Sequence, residues 1–168
     1  MEVRPISILN SNLSENVEYD NPDFPAYIRK EQLASYPDFR EISHWHDDFE
    51  FILILDGQMT FDVNGQKISL HTGEGIFVNS RCFHYGYSDT HTDCTFICIL
   101  LSPSLLSTNT YFVENSLKPL MQNIHFSYQK LSSAIKWQNS VLRDLKTIYE
   151  NNIDKLEPFI IFEKPTTF

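Results

Sequence analysis

Asn64-Gly65 sits between QMTFDV (58–63) and QKISL (66–70). Both turn residues tolerate the positive φ of a two-residue type I′ hairpin loop, and the flanks alternate apolar with polar side chains. This hairpin is one of a series. FEFILIL (49–55) reads as a strand that stops at Asp56-Gly57, and His71-Thr72-Gly73-Glu74-Gly75 reads as a second turn. IFVN (76–79), CFHYGY (82–87) and CTFICILL (94–101) follow, the last ended by Pro103. Short strands joined by tight turns, with no helical spacing between them, exclude βαβ units and imply an antiparallel sandwich or barrel. Ahead of them, Pro22 and Pro25 break the chain, and 26–30 reads as an edge strand.

After Pro103 the texture changes. The second half of 111–126 has helical spacing, with Pro119 placed to start or kink a helix. A clearer helix is expected over 131–152. There Leu131, Ala134, Ile135, Val141, Leu142, Leu145, Ile148 and Tyr149 recur at three- and four-residue intervals before Asn151-Asn152. Such a stripe suits packing on the chain's own sheet or on a partner's helix. The expected organisation is a polar arm over 1–20, a β-barrel over 21–103, a helical dimerisation or packing segment over 104–152 and a tail over 153–168.

Charge and cysteine usage narrow the function classes. The 168 residues include 13 basic and 22 acidic side chains, a net charge of −9. Residues 1–111 alone carry 6 Lys/Arg against 16 Asp/Glu. Such an acidic body argues against direct nucleic-acid binding, which draws on clustered Lys and Arg. Cys82, Cys94 and Cys98 show no pairing pattern, which points to reduced thiols and a cytoplasmic home. No apolar run approaches the roughly 18 residues of a membrane span, and the N-terminal stretch lacks the apolar region of a signal peptide.

The chemistry is concentrated in HWHDDFE (44–50). If this stretch is extended, His44, His46, Asp48 and Glu50 share one face, because strand side chains alternate. Two imidazoles about 7 Å apart along a strand can lean onto one ion. Glu50 adds an oxygen, and His84 is the obvious further ligand from another strand. Three histidines and a carboxylate suit divalent zinc, iron, manganese or nickel. The same four side chains can instead grip the hydroxyls of a sugar, with Tyr85, Tyr87, Phe77 and Phe61 as aromatic surfaces. They can also be ordinary strand polar residues. Arg81 lies in a loop position where it either meets an anion or stays solvated, and His71, His91 and His125 read as surface or loop histidines.

His44-x-His46, three residues, Glu50, six residues, Gly57 has the spacing of the first cupin motif. A partial match to the second runs from Gly73 to His84, with Asn79 in place of its proline, Arg81 in place of its second glycine and Ser88 in place of its closing asparagine. Asp38 stands where the first motif opens with glycine. Taken with the arm, the Asn-Gly hairpin, the late histidine and the helices, residues 15–152 resemble the ligand-sensing and dimerisation domain of AraC-type transcription regulators. The resemblance implies a mostly-β cupin double-stranded antiparallel barrel (jelly roll) followed by two helices. It implies a homodimer and a small-molecule ligand, with a sugar as one class, held by His44, His46, Glu50, His84, Tyr85 and Tyr87. It also implies a C-terminal pair of helix-turn-helix motifs. Only 16 residues follow Asn152, whereas one such motif needs roughly 20 and a folded DNA-binding domain at least about 50. The expectation is therefore a sensor without its DNA-binding half. The alternative is a stand-alone metal-dependent cupin enzyme of dioxygenase or isomerase type, and a third reading is a dimeric interaction module. Stoichiometric metal, saturable stabilisation by a metabolite, or neither of these separates the three.

Overall fold

A computed structural model describes residues 9–153; the expectations for the first eight residues of the arm and for 154–168 of the tail lie outside the described residues. Among the described residues, the strands are β1 (Ala26–Gln32), β2 (Phe49–Val63), β3 (Gln66–His71), β4 (Gly75–Val78), β5 (His84–Tyr87), β6 (Cys94–Leu101) and β7 (Tyr128–Leu131). They pair antiparallel throughout. One sheet runs β1-β6-β2-β4-β7, and β3 and β5 flank the far half of β2 to make the second. The edge position expected for the first strand is observed in β1, and Asn64 and Gly65 adopt the positive φ expected of the hairpin.

β2 corrects the sequence reading. FEFILIL does not stop at Asp56-Gly57; the strand continues for 15 residues to Val63. Its first half pairs with β6 and β4, its second with β3 and β5. The register with β6 slips between Ile54 and Asp56. Such a bulge bends a strand, and here it carries β2 from one sheet into the other. It also switches which parity faces inward. Ile52 and Ile54 before the slip, and Met59, Phe61 and Val63 after it, pack into one interior cluster. Gly57 sits at the corner with φ +86°, where a Cβ would stand 2.5 Å from the Asp93 carbonyl oxygen. The Asp-Gly pair therefore marks a bend within a strand, not a reversal of the chain.

The interior is closed by both sheets. Ile76, Val78, Phe96 and Leu100 from the first meet Phe61, Ile68 and Leu70 from the second. The outer face of the first sheet packs on the long helix, Lys136–Ile153, through Ala26, Ile28, Leu53, Ile97 and Ile99 against Leu142 and Leu145. Gly75 permits this approach: a Cβ there would lie 2.4 Å from the Ile52 carbonyl and 2.9 Å from Leu142.

The segment after the barrel departs from expectation in two places. Helical turns cover 110–121, but Val113–Leu117 forms a wide π-helical turn just before Pro119. Proline lacks an N–H and crowds the carbonyl four residues back, and a widened turn relieves both. Leu131, expected in the second helix, instead ends β7, paired opposite Gly75, and Ala134 and Ile135 lie in the turn before the helix starts. The apolar spacing runs on through both elements because both face the same cluster. No helix among the described residues is long and apolar enough to cross a membrane. All three cysteines are free, with Cys94 and Cys98 buried.

Candidate functional site

HWHDDFE is not one extended strand. His44 and Trp45 make isolated bridges, to His84 and Ser14, a bend covers Asp47 and Asp48, and β2 begins at Phe49. In a flat strand His46 and Glu50 would lie about 13 Å apart, four strand rises. The bend instead brings His46 Nε2 to 3.1 Å from Glu50 Oε2. The His44 and His84 backbones exchange N–H···O bonds of 3.2 and 2.9 Å, which sets their ring centroids 4.5 Å apart. His84 Nε2 then stands 2.6 Å from Glu50 Oε2. One ligand atom from each of His44, His46, Glu50 and His84 lies within 4.8 Å of all the others, and the four residues are buried. Asp48, expected on the same face, is turned aside, and its carboxylate accepts from the Tyr19 hydroxyl at 2.7 and 2.9 Å.

Each imidazole is locked by a backbone carbonyl at its Nδ1. The partners are the Ile42 oxygen for His44 (2.7 Å), the Asp48 oxygen for His46 (3.1 Å) and the Cys82 oxygen for His84 (2.8 Å). A carbonyl only accepts, so Nδ1 carries the proton and the Nε2 of each neutral ring keeps its lone pair. Three lone pairs and a carboxylate oxygen therefore converge. His84 Nε2 is buried and stands directly against the Glu50 carboxylate. Acceptors held this close need a cation or a proton among them. The donor set, with each Nδ1 anchored behind it, fits a divalent metal ion.

Without a metal, the electrostatics of the group are uneven. Burial, reinforced by His84, pushes His44 down to about 4. Burial also disfavours charge on His84, but the Glu50 carboxylate outweighs it and raises that histidine. Burial would raise Glu50, yet His84 and His46 hold it well below the usual carboxylate range.

Two expected ligand contacts are not brought to this cluster. Side chains alternate along β5, so Tyr85 and Tyr87 point away from His84. Their rings stack on each other at 5.4 Å, beneath the Arg40 guanidinium at 5.6 and 4.1 Å. Phe77 also faces outward, against Phe49 and Phe51. Phe61 stays beside the cluster, its ring 6.0 Å from that of His84. Arg81 is exposed and donates to Asp47 at 2.6 Å, and His71, His91 and His125 are exposed.

Sequence reasoning missed three residues. Glu41 is buried, and its carboxylate accepts from the Gly86 N–H. Cys98 Sγ lies 3.9 Å from Glu50 Oε1. Glu15, from the arm, places Oε2 3.3 Å from His44 Nε2. Nothing in their spacing marks them, since each reaches the cluster through a pairing distant in sequence.

Two sheets sharing a bent strand, with a histidine-carboxylate cluster buried between them, define a cupin-type barrel. The sequence profile of the AraC-like ligand binding domain matches residues 32–131, and the chain belongs to that family. It is 29% identical over 141 residues to the uncharacterized HTH-type transcriptional regulator YdeC of Bacillus subtilis (strain 168), which covers 84% of this chain and 48% of that protein. The chain thus spans about half the length of the curated relative it matches. Among solved structures it is similar to a Cupin 2 conserved barrel domain protein from Salinispora arenicola CNS-205, with 17% identity, a TM-score of 0.44 and coverage of 63% of this chain and 92% of that one. A salicylate 1,2-dioxygenase from Pseudaminobacter salicylatoxidans shares 22% identity at a TM-score of 0.41, over 45% of this chain and 21% of that one.

Proposed function

We propose that this chain is the effector-sensing and dimerisation part of a transcription regulator, and that His44, His46, Glu50 and His84 hold a divalent ion (zinc, iron, manganese or nickel) at its recognition centre. The observation that carries the metal reading is the convergence of three Nε2 lone pairs on one carboxylate, each ring locked through its Nδ1. Membership of a ligand-binding family supports the sensing role. When bound, the ion supplies a positive centre for oxygen donors of a small polar effector. Sugars are the first class to test, because buried carboxylates and imidazoles match hydroxyl donors.

The protein acts in the cytoplasm as a homodimer, and this acidic chain does not itself contact nucleic acid. Ile124 and Trp137, 83% and 56% exposed after the barrel, are large apolar side chains of the kind that self-association covers. Effector binding changes the dimer only as far as its affinity differs between two arrangements of the helices or arm.

The test is elemental analysis of protein purified without chelators or a metal-affinity tag. About one ion per chain, lost in His46→Ala, is expected. Metal far below stoichiometric in the wild type overturns the metal reading and leaves the sensing role to a metabolite thermal-shift screen.

A further inference from the structure

We propose that the turn 79–81 positions the His46 side of the cluster and ties it to the segment after the barrel, so that filling the site and seating 118–127 favour each other; this rests on the metal reading above. Asn79 and Arg81 are two of the places where the chain departs from the second cupin motif, with asparagine for proline and arginine for glycine. Each makes at least one bond for which the motif's own residue lacks the atoms.

Toward the site, Ser80 Oγ donates to the Asp47 carbonyl at 2.7 Å, and the Arg81 N–H donates to the His46 carbonyl at 2.8 Å. Arg81 holds a φ of +62°, a left-handed value that glycine reaches without strain. Its Nε donates to the Asp47 carboxylate at 2.6 Å. All three bonds end on His46 and Asp47, at the bend that brings His46 Nε2 to 3.1 Å from Glu50 Oε2. The same bend sets the ring, because its Nδ1 is held at 3.1 Å by the Asp48 carbonyl. A ligand ring fixed through such outer contacts binds an ion with less reorganisation.

Away from the site, Asn79 is 3% exposed, and its Nδ2 donates to the Leu120 and Phe126 carbonyls at 2.8 and 2.9 Å. Its backbone N–H, which a proline would lack, donates to the Ser127 carbonyl at 2.9 Å. Its Oδ1 accepts from the Ser80 N–H at 2.9 Å. The side chain that holds 118–127 therefore also fixes the residue that holds Asp47. The held segment has little regular structure of its own. Lys118–Met121 is one helical turn behind the π-helical turn Val113–Leu117, and turns and irregular backbone fill 122–127. Such backbone takes its order from outside contacts and opens readily when they go. Ile124, 83% exposed, lies within it, so its seating shows on the surface. By linkage, if the ion favours the clamped bend, the seated segment favours the ion to the same degree.

The experiment is hydrogen exchange of residues 120–127 in the whole chain with and without Zn²⁺, beside a Co²⁺ titration followed by visible absorption. In the wild type, Zn²⁺ is expected to slow exchange of 120–127 at least about fivefold. Asn79→Ala should lose this dependence and bind Co²⁺ more weakly by about the same factor. Ser80→Ala, which removes a single hydroxyl from the site end, should do likewise. Leu145→Ala, which weakens the outer face without touching the turn, leaves Co²⁺ affinity and the Zn²⁺ dependence as in the wild type. Exchange of 120–127 that ignores Zn²⁺ in a wild type that binds Co²⁺ overturns this inference alone, as do Asn79→Ala and Ser80→Ala variants that match the wild type in both readouts. A wild type that takes up no Co²⁺, or a His46→Ala variant that binds it equally well, overturns the metal site and this inference together.

Discussion

The two faces of the sheet β1-β6-β2-β4-β7 are built from alternate residues of the same strands and serve different ends. The outer face is apolar wherever it meets the long helix, with Leu53, Ile97 and Ile99 against Leu142 and Leu145. The inner face is apolar over most of its length, with Ile52, Ile54, Phe96 and Leu100. Toward the HWHDDFE end it carries Glu50 and meets His84, His46 and His44. Burial of the outer face is favourable by area alone, and residues of similar shape can replace one another there. Burial of the inner end costs free energy unless each polar atom has a partner. The outer face therefore contributes to holding the barrel together, and the inner end uses part of that stability to present ligand atoms.

The largest expected effect lies where the two sheets meet. Phe61, fully buried beside His84, should destabilise the protein by about 3–5 kcal/mol when replaced by alanine, and Leu145→Ala on the outer face by about 2–4 kcal/mol. Urea melts of both variants check this; no loss in Leu145→Ala would break the idea that the helix clamps the outer face. The next effect belongs to the polar end. His44 is held neutral, with its pKa lowered to about 4, so an unfolded chain takes up a proton there that the folded chain refuses. The ion-free protein should lose stability as pH falls from about 6.5 to about 4, by about 3 kcal/mol from this group. Urea melts across that window should show a smaller loss in His44→Gln, and equal losses would remove His44 from the account.

Gly75→Ala pushes a methyl group against the Ile52 carbonyl and Leu142, and about 1–3 kcal/mol should be lost by calorimetry. Tyr19→Phe removes the hydroxyl from buried Asp48, which should cost about 1–2 kcal/mol and raise hydrogen exchange in the arm while sparing the outer face. The smallest effect is expected at the β4–β7 edge. Lys130 lies 3.0 Å from Glu74 across an exposed margin, and Lys130→Met should change stability by no more than about 0.5 kcal/mol.

Much of this architecture was legible in local patterns. Alternation around Asn64-Gly65 disclosed a hairpin because the turn's φ preferences and the strand period are carried by neighbouring residues. The H-x-H-x3-E spacing named three of the cluster's residues, and His84 completed it. The assumption that 44–50 is one flat strand was nevertheless mistaken. It placed Asp48 on one face with His44, His46 and Glu50, while the observed bend gives Asp48 to Tyr19 and folds His46 back onto Glu50. The aromatic pair Tyr85 and Tyr87 lies apart from the cluster for a related reason: strand parity relative to His84 puts both rings on the other face of β5, where they stack on each other.

The sequence by itself determined the order of short strands and turns, the acidic character of the chain and the identity of four convergent side chains, since each follows from residue type and near spacing. Only the tertiary structure decided that β2 crosses from one sheet to the other through a register slip, that Tyr128–Leu131 joins the sheet as a strand, and that Glu15 reaches His44 from the arm. Those outcomes depend on pairings between residues far apart in the chain, and the hydrogen bonds and burial that favour them exist only once both partners are in place.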